Sequence, residues 1–319
     1  TSFAPVEHAV PMLSLGNART EEELLAWEKR IRNHLARRDV DPGRLTYVTE
    51  PKIDGLAISL TYENGKLVQG ATRGNGRVGE DVTANIETIK TLPKTIEDAP
   101  ALIEVRGEVY LPIPDFAALN QKRVDAGLPA FANPRNSAAG SIRQVNPKDA
   151  AERPLAVWSY GIGATDGISF ASHSEEIEWL RENGFQVNPD IAVHDSISEV
   201  LERCHWWLDR REDLDFEIDG VVIKVDNIDL WNELGVAGRE PRWAIAWKFP
   251  PTTATTKLLQ IVWNVGRTGH LVPFAMLDPV RVGGVTVSTA TLHNEEDLER
   301  KDVREGDEVV VLLWAQSVH

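Results

Sequence analysis

At 319 residues, 42% apolar and 26% charged, the chain is long enough for more than one domain and a sizeable buried core. Acidic residues outnumber basic ones 49 to 34, a formal net charge of −15, which excludes tight binding to nucleic acid through bulk positive charge. One cysteine, Cys204, excludes an internal disulfide and a zinc site of several thiolates; no apolar run reaches the ~20 residues of a membrane span, and TSFAPVEHAVP lacks the features of a signal peptide, so the expected compartment is the cytoplasm.

The first strong periodicity is helical. Thr20 to Arg38 opens on a capping box, Thr20 with Glu23, places Leu24, Trp27, Ile31 and Leu35 near helical spacing, and closes on Arg37-Arg38 as the helix dipole prefers. Two strands follow, Leu56 to Tyr62 and Lys66 to Thr72, with Asn64-Gly65 as the hairpin turn. A strand is predicted over Ile103 to Tyr110, a helix over Ile113 to Ala126 and a buried strand over Leu155 to Ile162. Helices are predicted at Ser174 to Asn183, stopped by Gly184, and at Ser196 to Arg211. Ile218 to Val225 and Ala244 to Phe249 read as the last strands of this region.

Pro250-Pro251 and the threonine-rich TTATT mark a boundary, giving expected domains at 1–250 and 251–319. Beyond it come short β segments, Leu259 to Val265, Leu271 to Leu277, Val285 to Ala290 and Glu308 to Trp314, with a helical piece at Asn294 to Arg300. That pattern suits an OB-type barrel. The expected class is therefore α+β: antiparallel sheets with helices, then an OB-like barrel.

Glu50-Pro51-Lys52-Ile53-Asp54-Gly55 sets one lysine in a K-x-D-G context just after a β-like segment. Alone, this is equally a surface lysine beside a turn aspartate. Downstream, however, stand Arg73-Gly74, Val105-Arg106-Gly107-Glu108, Asp219 to Lys224 (DGVVIK) and Trp243 to Pro250 (WAIAWKFP). An amine attacks phosphorus only when neutral, among cations that stabilise the pentavalent transition state and with a carboxylate to orient it or hold a metal. This chain offers all three in separate strand-like blocks.

The ordered set resembles the covalent nucleotidyltransferases: DNA ligases, RNA ligases and capping enzymes. His8 to Leu15 (HAVPMLSL) and Phe131 to Gln144 (FANPRNSAAGSIRQ) narrow the resemblance to the bacterial NAD-dependent DNA ligases, and it spans nearly the whole chain. It implies an adenylation domain followed by an OB domain, with Lys52 as the nucleophile and Lys224 and Lys248 clamping the α-phosphate. Asp54, two residues from Lys52, is expected to orient the amine or a metal. Glu108 is expected to bind the ribose hydroxyls or a hydrated Mg²⁺ (or Mn²⁺), with Asp219 as a second metal candidate. Glu50 resembles the family's nucleotide-contacting glutamate, and Ser14 and Leu15 its adenine-side contacts. Arg73 opens RGNG where the family usually has RGDG; Asn75 removes a carboxylate but keeps the turn chemistry.

From Ala126 to Lys148 there is no acidic residue, and within that window Asn133, Arg135 and Arg143 are implied DNA- or adenylate-phosphate contacts. Arg211 matches a further such arginine, or else ends a helix. The eight histidines show no metal-ligand spacing, and the ten tryptophans are scattered as packing residues. From Pro251 to His319 six basic residues face nine acidic ones, so the second domain is net negative. The resemblance implies NAD as AMP donor, a divalent metal, nicked duplex DNA as partner, and a monomer in the bacterial cytoplasm, associated with the nucleoid. The family's nicotinamide-side helical domain, four-cysteine zinc module, helix-hairpin-helix region and BRCT domain have no counterpart here, and Leu313 to His319 depart from the family text, so a truncated form with an incomplete barrel is expected. An ATP-dependent ligase and a catalytically idle nucleotide- or DNA-binding remnant stay open.

Overall fold

The computed structural model describes residues 3–128, 131, 133–265, 271–282, 285–312 and 317–318. The chain divides into two compact units, Thr1–Phe249 and Pro250–His319.

The first unit opens with β1 (Pro5–Glu7), β2 (Gly16–Ala18), α1 (Glu21–Ala36), β3 (Tyr47–Ile53), the hairpin β4 (Leu56–Glu63) and β5 (Lys66–Thr72), β6 (Val78–Glu80) and α2 (Thr83–Ile86). It continues through β7 (Leu102–Tyr110), α3 (Ile113–Asp125), α4 (Pro134–Ile142), α5 (Pro147–Ala151), β8 (Ala156–Asp166), α6 (His173–Glu182), β9 (Ala192–His194) and α7 (Ile197–Arg210). It closes with β10 (Ile218–Val225), α8 (Asp229–Leu234), β11 (Val236–Ala237), β12 (Glu240–Pro241) and β13 (Ala244–Lys248). One sheet has the order β2-β13-β10-β3-β9 and the other β5-β4-β7-β8. Both are antiparallel apart from the β13–β2 pair.

Local chemistry explains most boundaries. Thr20 caps α1 by accepting from the Glu23 amide at 3.2 Å, and Leu24, Trp27, Ile31 and Leu35 are its buried face. At the β4–β5 turn Asn64 and Gly65 both take positive φ, 47° and 78°, as an Asn-Gly hairpin turn requires. Helices α4 and α5 were not foreseen, although each starts with an asparagine cap and a proline in its first turn. Asn133 accepts from the Asn136 amide at 2.8 Å and Asn146 from the Lys148 amide at 3.1 Å. Ala132, within the FANPRN block, lies outside the described residues.

Each sheet has an apolar and a polar face. In the five-stranded sheet Tyr47, Val221, Ile223, Val225, Ile245 and Trp247 pack under α1 and α7. In the four-stranded sheet Ile58, Leu60, Tyr62, Ile103, Val105 and Val109 pack with residues of α2, α4 and α6. Period-two alternation then commits the remaining residues of these strands to the opposite, polar faces.

The second unit holds β14 (Thr253–Val265), β15 (Leu271–Val282), β16 (Val285–Thr291), α9 (Glu295–Lys301), β17 (Glu308–Leu312) and β18 (Ser317–Val318). These strands pair in the order β14-β15-β16-β18-β17, and β17 pairs back on β14. The last links run through β18, which meets β16 at the single pair Thr291 and Ser317. The TTATT stretch is not a spacer. Thr253 to Lys257 pair with Leu312 to Glu308, threonine being a good edge-to-ladder residue through its branched Cβ. Leu313 and Trp314 of the expected last strand, and Arg267 of the charge count, lie outside the described residues.

Candidate active site

Lys52 sits near the end of β3, where the strand pairs with β10. Gly220 of β10 is cross-strand from both Lys52 and Lys248, Val222 from Glu50, and Lys224 from Val48 and Ala244. Alternation therefore puts Glu50, Lys52, Lys224 and Lys248 on one face, away from the α1–α7 core. Asp219 should face the other way from its neighbour Gly220. It does not, because the β3–β10 register slips between Ile218 and Gly220, and a bulge re-aims the intervening residue.

That bulge creates the centre of the site. Asp219 Oδ1 lies 3.1 Å from Lys52 Nζ, and Asp219 Oδ2 lies 2.6 Å from Lys248 Nζ. Burial works against the charge of Asp219, but the Lys52 and Lys248 ammonium groups outweigh it and hold the carboxyl below its usual range. Lys248 is itself shifted down, by burial and then by the Lys52 charge. The carboxylate beside Lys52 is thus Asp219, whereas Asp54, expected to orient the amine or a metal, does not pair with that amine. Strand β3 ends at Ile53, so Asp54 leaves the pleat and pairs instead with Arg135 Nη1 at 3.1 Å. Burial, then the charge of Asp219, raises the Asp54 pKa despite that arginine. Gly55 completes the turn: a Cβ there would stand 2.2 Å from the Val109 carbonyl oxygen and 2.9 Å from Glu108 Cγ, so only glycine lets β7 come this close.

A second charged group lies further along the same face. Lys224 Nζ is 2.6 Å from Glu50 Oε1 and 3.3 Å from His173 Nε2, and stands over the Tyr160 ring at 5.4 Å. Glu50 is buried, which would raise its pKa, yet Lys224 and the His173 hydrogen bond bring it below the usual carboxylate range. Lys224, expected to clamp the α-phosphate with Lys248, is paired in this structure with Glu50. His173 and Tyr160 were missed. The signal for His173 was its spacing of three from Glu176 on a helix, a buried polar pair at Nδ1–Oε2 2.8 Å.

The polar face of the four-stranded sheet supplies Glu108. It is half-buried, and among the described residues it makes no hydrogen bond or ion pair. Burial pushes its pKa up to about 8 in spite of the Lys52 and Arg135 charges. Arg106, on the same face, donates to the Val10 and Pro11 carbonyls at 2.6 and 3.2 Å and so fastens the HAVPMLSL arm. Ser14 and Leu15 lead from that arm into β2, whose Gly16 pairs with Ile245, next to the Ala244 opposite Lys224. Arg73 is exposed, and Asn75 accepts from the Arg77 and Val78 amides at 2.9 Å, so the RGNG turn keeps its side-chain anchor.

The expected phosphate-contacting residues are only partly brought together. Arg135 pairs with Asp54, whose carboxyl feels the charges of Asp219 and Lys52. Arg143 Nε is 2.8 Å from Glu80, Asn133 is the α4 cap, and Arg211 ends α7 with its guanidinium 5.5 Å from the Phe249 ring. No cluster of three His, Cys, Asp or Glu side chains offers a ready metal cage among the described residues. Lys52 and Lys248 both donate to Asp219 Oδ2, and the buried Oδ1, 3.1 Å from Lys52 Nζ, makes no hydrogen bond among the described residues, so one oxygen stays open to a divalent cation. Glu108 also fits one, as a half-buried oxygen donor with no partner and a disfavoured charge.

An α+β scaffold that brings lysines and carboxylates together between two antiparallel polar faces has the layout of a covalent nucleotidyltransferase. The chain belongs to the NAD-dependent DNA ligase family: residues 1–252 match the model of the NAD-dependent DNA ligase adenylation domain and residues 255–317 that of its OB-fold domain. It is 51% identical over 311 residues to a DNA ligase of Desulforudis audaxviator, covering 97% of this chain and 46% of that protein. It is 53% identical to a DNA ligase of Rubrobacter xylanophilus (97% and 45%) and 50% identical to one of Halalkalibacterium halodurans (97% and 45%). The chain thus spans just under half the length of these relatives.

Proposed function

We propose that this chain is the catalytic core of a DNA ligase that seals nicks in duplex DNA, taking AMP from NAD through a covalent adduct on Lys52. The observation that carries the reading is the grouping of Lys52 and Lys248 on Asp219, on one face with the Glu50–Lys224 pair.

In the first step the neutral Lys52 amine attacks the adenylyl phosphorus of NAD. A P–N bond forms, the P–O bond to nicotinamide mononucleotide breaks, and that group leaves with the electron pair while the amine proton passes to solvent. Asp219, held below the usual carboxylate range, orients the amine and is too weak a base to keep its proton. Lys248 meets the charge that develops on the non-bridging oxygens. In the second step an oxygen of the nick's 5′-phosphate attacks the same phosphorus, the P–N bond breaks, and the leaving nitrogen takes a proton from solvent, restoring Lys52. In the third, the 3′-hydroxyl attacks the activated phosphate, loses its proton, and AMP departs. Glu50, Lys224, Ser14 and Leu15 hold the nucleoside end, and Arg73 and Arg135 lie towards the phosphates. Glu108 would hold Mg²⁺ or Mn²⁺ together with water and substrate oxygens, and the ion when bound supplies Lewis-acid charge to the phosphoryl oxygens. The chain acts as a monomer on nicked DNA in the bacterial cytoplasm at the nucleoid; among the described residues no helix is long and apolar enough to cross a membrane.

Intact-mass spectrometry with NAD, ATP and a nicked duplex tests this. An AMP adduct formed from NAD and lost on adding the nick is the expected result. An adduct from ATP alone makes the chain an ATP-dependent enzyme, and no adduct from either makes it a binding remnant.

A further inference from the structure

His173 opens α6 and is fully buried. Its Nδ1 lies 2.8 Å from Glu176 Oε2, and its Nε2 lies 3.1 Å from Glu50 Oε2 and 3.3 Å from Lys224 Nζ. Three charged side chains converge on one ring. An imidazole nitrogen either carries a proton or presents a lone pair. With a proton, Nε2 donates to Glu50 and turns a positive edge on Lys224. Without one, it accepts from Lys224 but points a lone pair at a carboxylate oxygen. No single protonation state suits both neighbours, so the proton on Nε2 decides how firmly Lys224 is tied.

Charge balance favours the protonated form. Glu50 and Glu176 against Lys224 leave one negative charge in a buried space, and an imidazolium brings the sum to zero. The other groups nearby do not alter this. Burial keeps the Tyr160 hydroxyl neutral, and the Asp226 carboxylate is taken up by the Ser174 amide and hydroxyl at 2.8 and 2.9 Å. Burial and Lys224 disfavour charge on His173, yet its hydrogen bonds to Glu176 and Glu50 prevail and raise its pKa above the ordinary value.

We propose that His173 is a positioning residue of the nucleotide site: its imidazolium takes over Glu50, so that Lys224 can turn from Glu50 to the nucleotide without stranding a buried carboxylate. This rests on the reading that Glu50 and Lys224 hold the nucleoside end. Nucleoside affinity should then be highest while His173 is protonated and fall as pH rises through its raised pKa.

The test is calorimetric titration of the 319-residue chain with adenosine, which has no phosphate to titrate, between about pH 6 and 9. Wild-type affinity should fall by about tenfold in all as pH rises through the midpoint. His173→Gln, a neutral donor, should bind about tenfold more weakly at the low end, the loss of one charge-assisted hydrogen bond, and show no slope. Glu176→Gln keeps the ring but removes the carboxylate on Nδ1, so it should move the midpoint to lower pH; it serves if His173→Gln does not fold. A flat wild-type profile, a slope that survives in His173→Gln, or a midpoint unmoved in Glu176→Gln overturns the proposal. Failure of the wild-type chain to bind adenosine at any pH would instead sink the nucleoside reading, and this proposal with it.

Discussion

Asp219→Asn keeps the shape of the side chain and removes the one negative charge shared by Lys52 and Lys248. The two ion pairs, at 3.1 and 2.6 Å, represent gross attractions of about 5 and about 6 kcal/mol at an effective dielectric near 20. Desolvation and partial exposure, 23–29% for the three side chains, cut the net to about 2 kcal/mol for the group. For a folding unit of this size that corresponds to a melting temperature lower by roughly 4–8 °C. Because the folded pKa of Asp219 is depressed, its contribution is present above the unfolded value and is lost as pH falls through the folded one. The gap between wild type and variant should therefore be full at neutral pH and close in acid. Adding Lys248→Met to Asp219→Asn removes one of the two facing ammonium groups and should recover about half the loss, a coupling that a double-mutant cycle isolates. Thermal unfolding followed by circular dichroism reads all of this. If Asp219→Asn melts within about 1 °C of wild type at neutral pH, or Lys248→Met gives no recovery, Asp219 is not the shared counter-ion and the bulge argument fails.

Lys52→Ala should abolish covalent AMP while leaving the fold intact; peptide mapping that found AMP on Lys224 or Lys248 would refute the assignment. Burial raises Glu108 to about 8, so its contribution to stability is full below the ordinary carboxyl pKa and is lost as pH rises through about 8. Glu108→Gln should therefore match wild type in acid and melt a few degrees higher above about pH 8, and equal melting of the two proteins in alkali would count against the buried placement. Arg143→Ala breaks an exposed pair with Glu80 worth under about 1 kcal/mol. It should leave the melting temperature nearly unchanged but flatten the salt dependence of nicked-duplex binding by about one phosphate contact, read by fluorescence anisotropy. An unchanged slope would put the DNA surface elsewhere.

Much of this protein was legible in the order of its residues. Helix α1 follows from its capping box and apolar spacing, the β4–β5 hairpin from Asn64-Gly65, and the choice of Lys52 from the cationic blocks that follow it, because each of these signals is local. Helices α4 and α5 are legible as well, in the capping asparagine followed by proline at Asn133-Pro134 and Asn146-Pro147. The contacts of the site were a different matter. Spacing of two in extended chain puts Asp54 beside Lys52, yet β3 stops at Ile53, and one extra residue in β10 turns Asp219 onto the lysine face in its place. Lys224, Glu50, His173 and Glu176 come from three separated segments, and which cation answers which carboxylate depends on strand register and burial. The sequence by itself determined the main helices and strands and which lysines and carboxylates stand on them, since capping, turn and periodicity signals are local. Only the tertiary structure decided their pairing, since one slipped register reverses a side chain's face and a buried charge takes whatever partner the fold brings within reach.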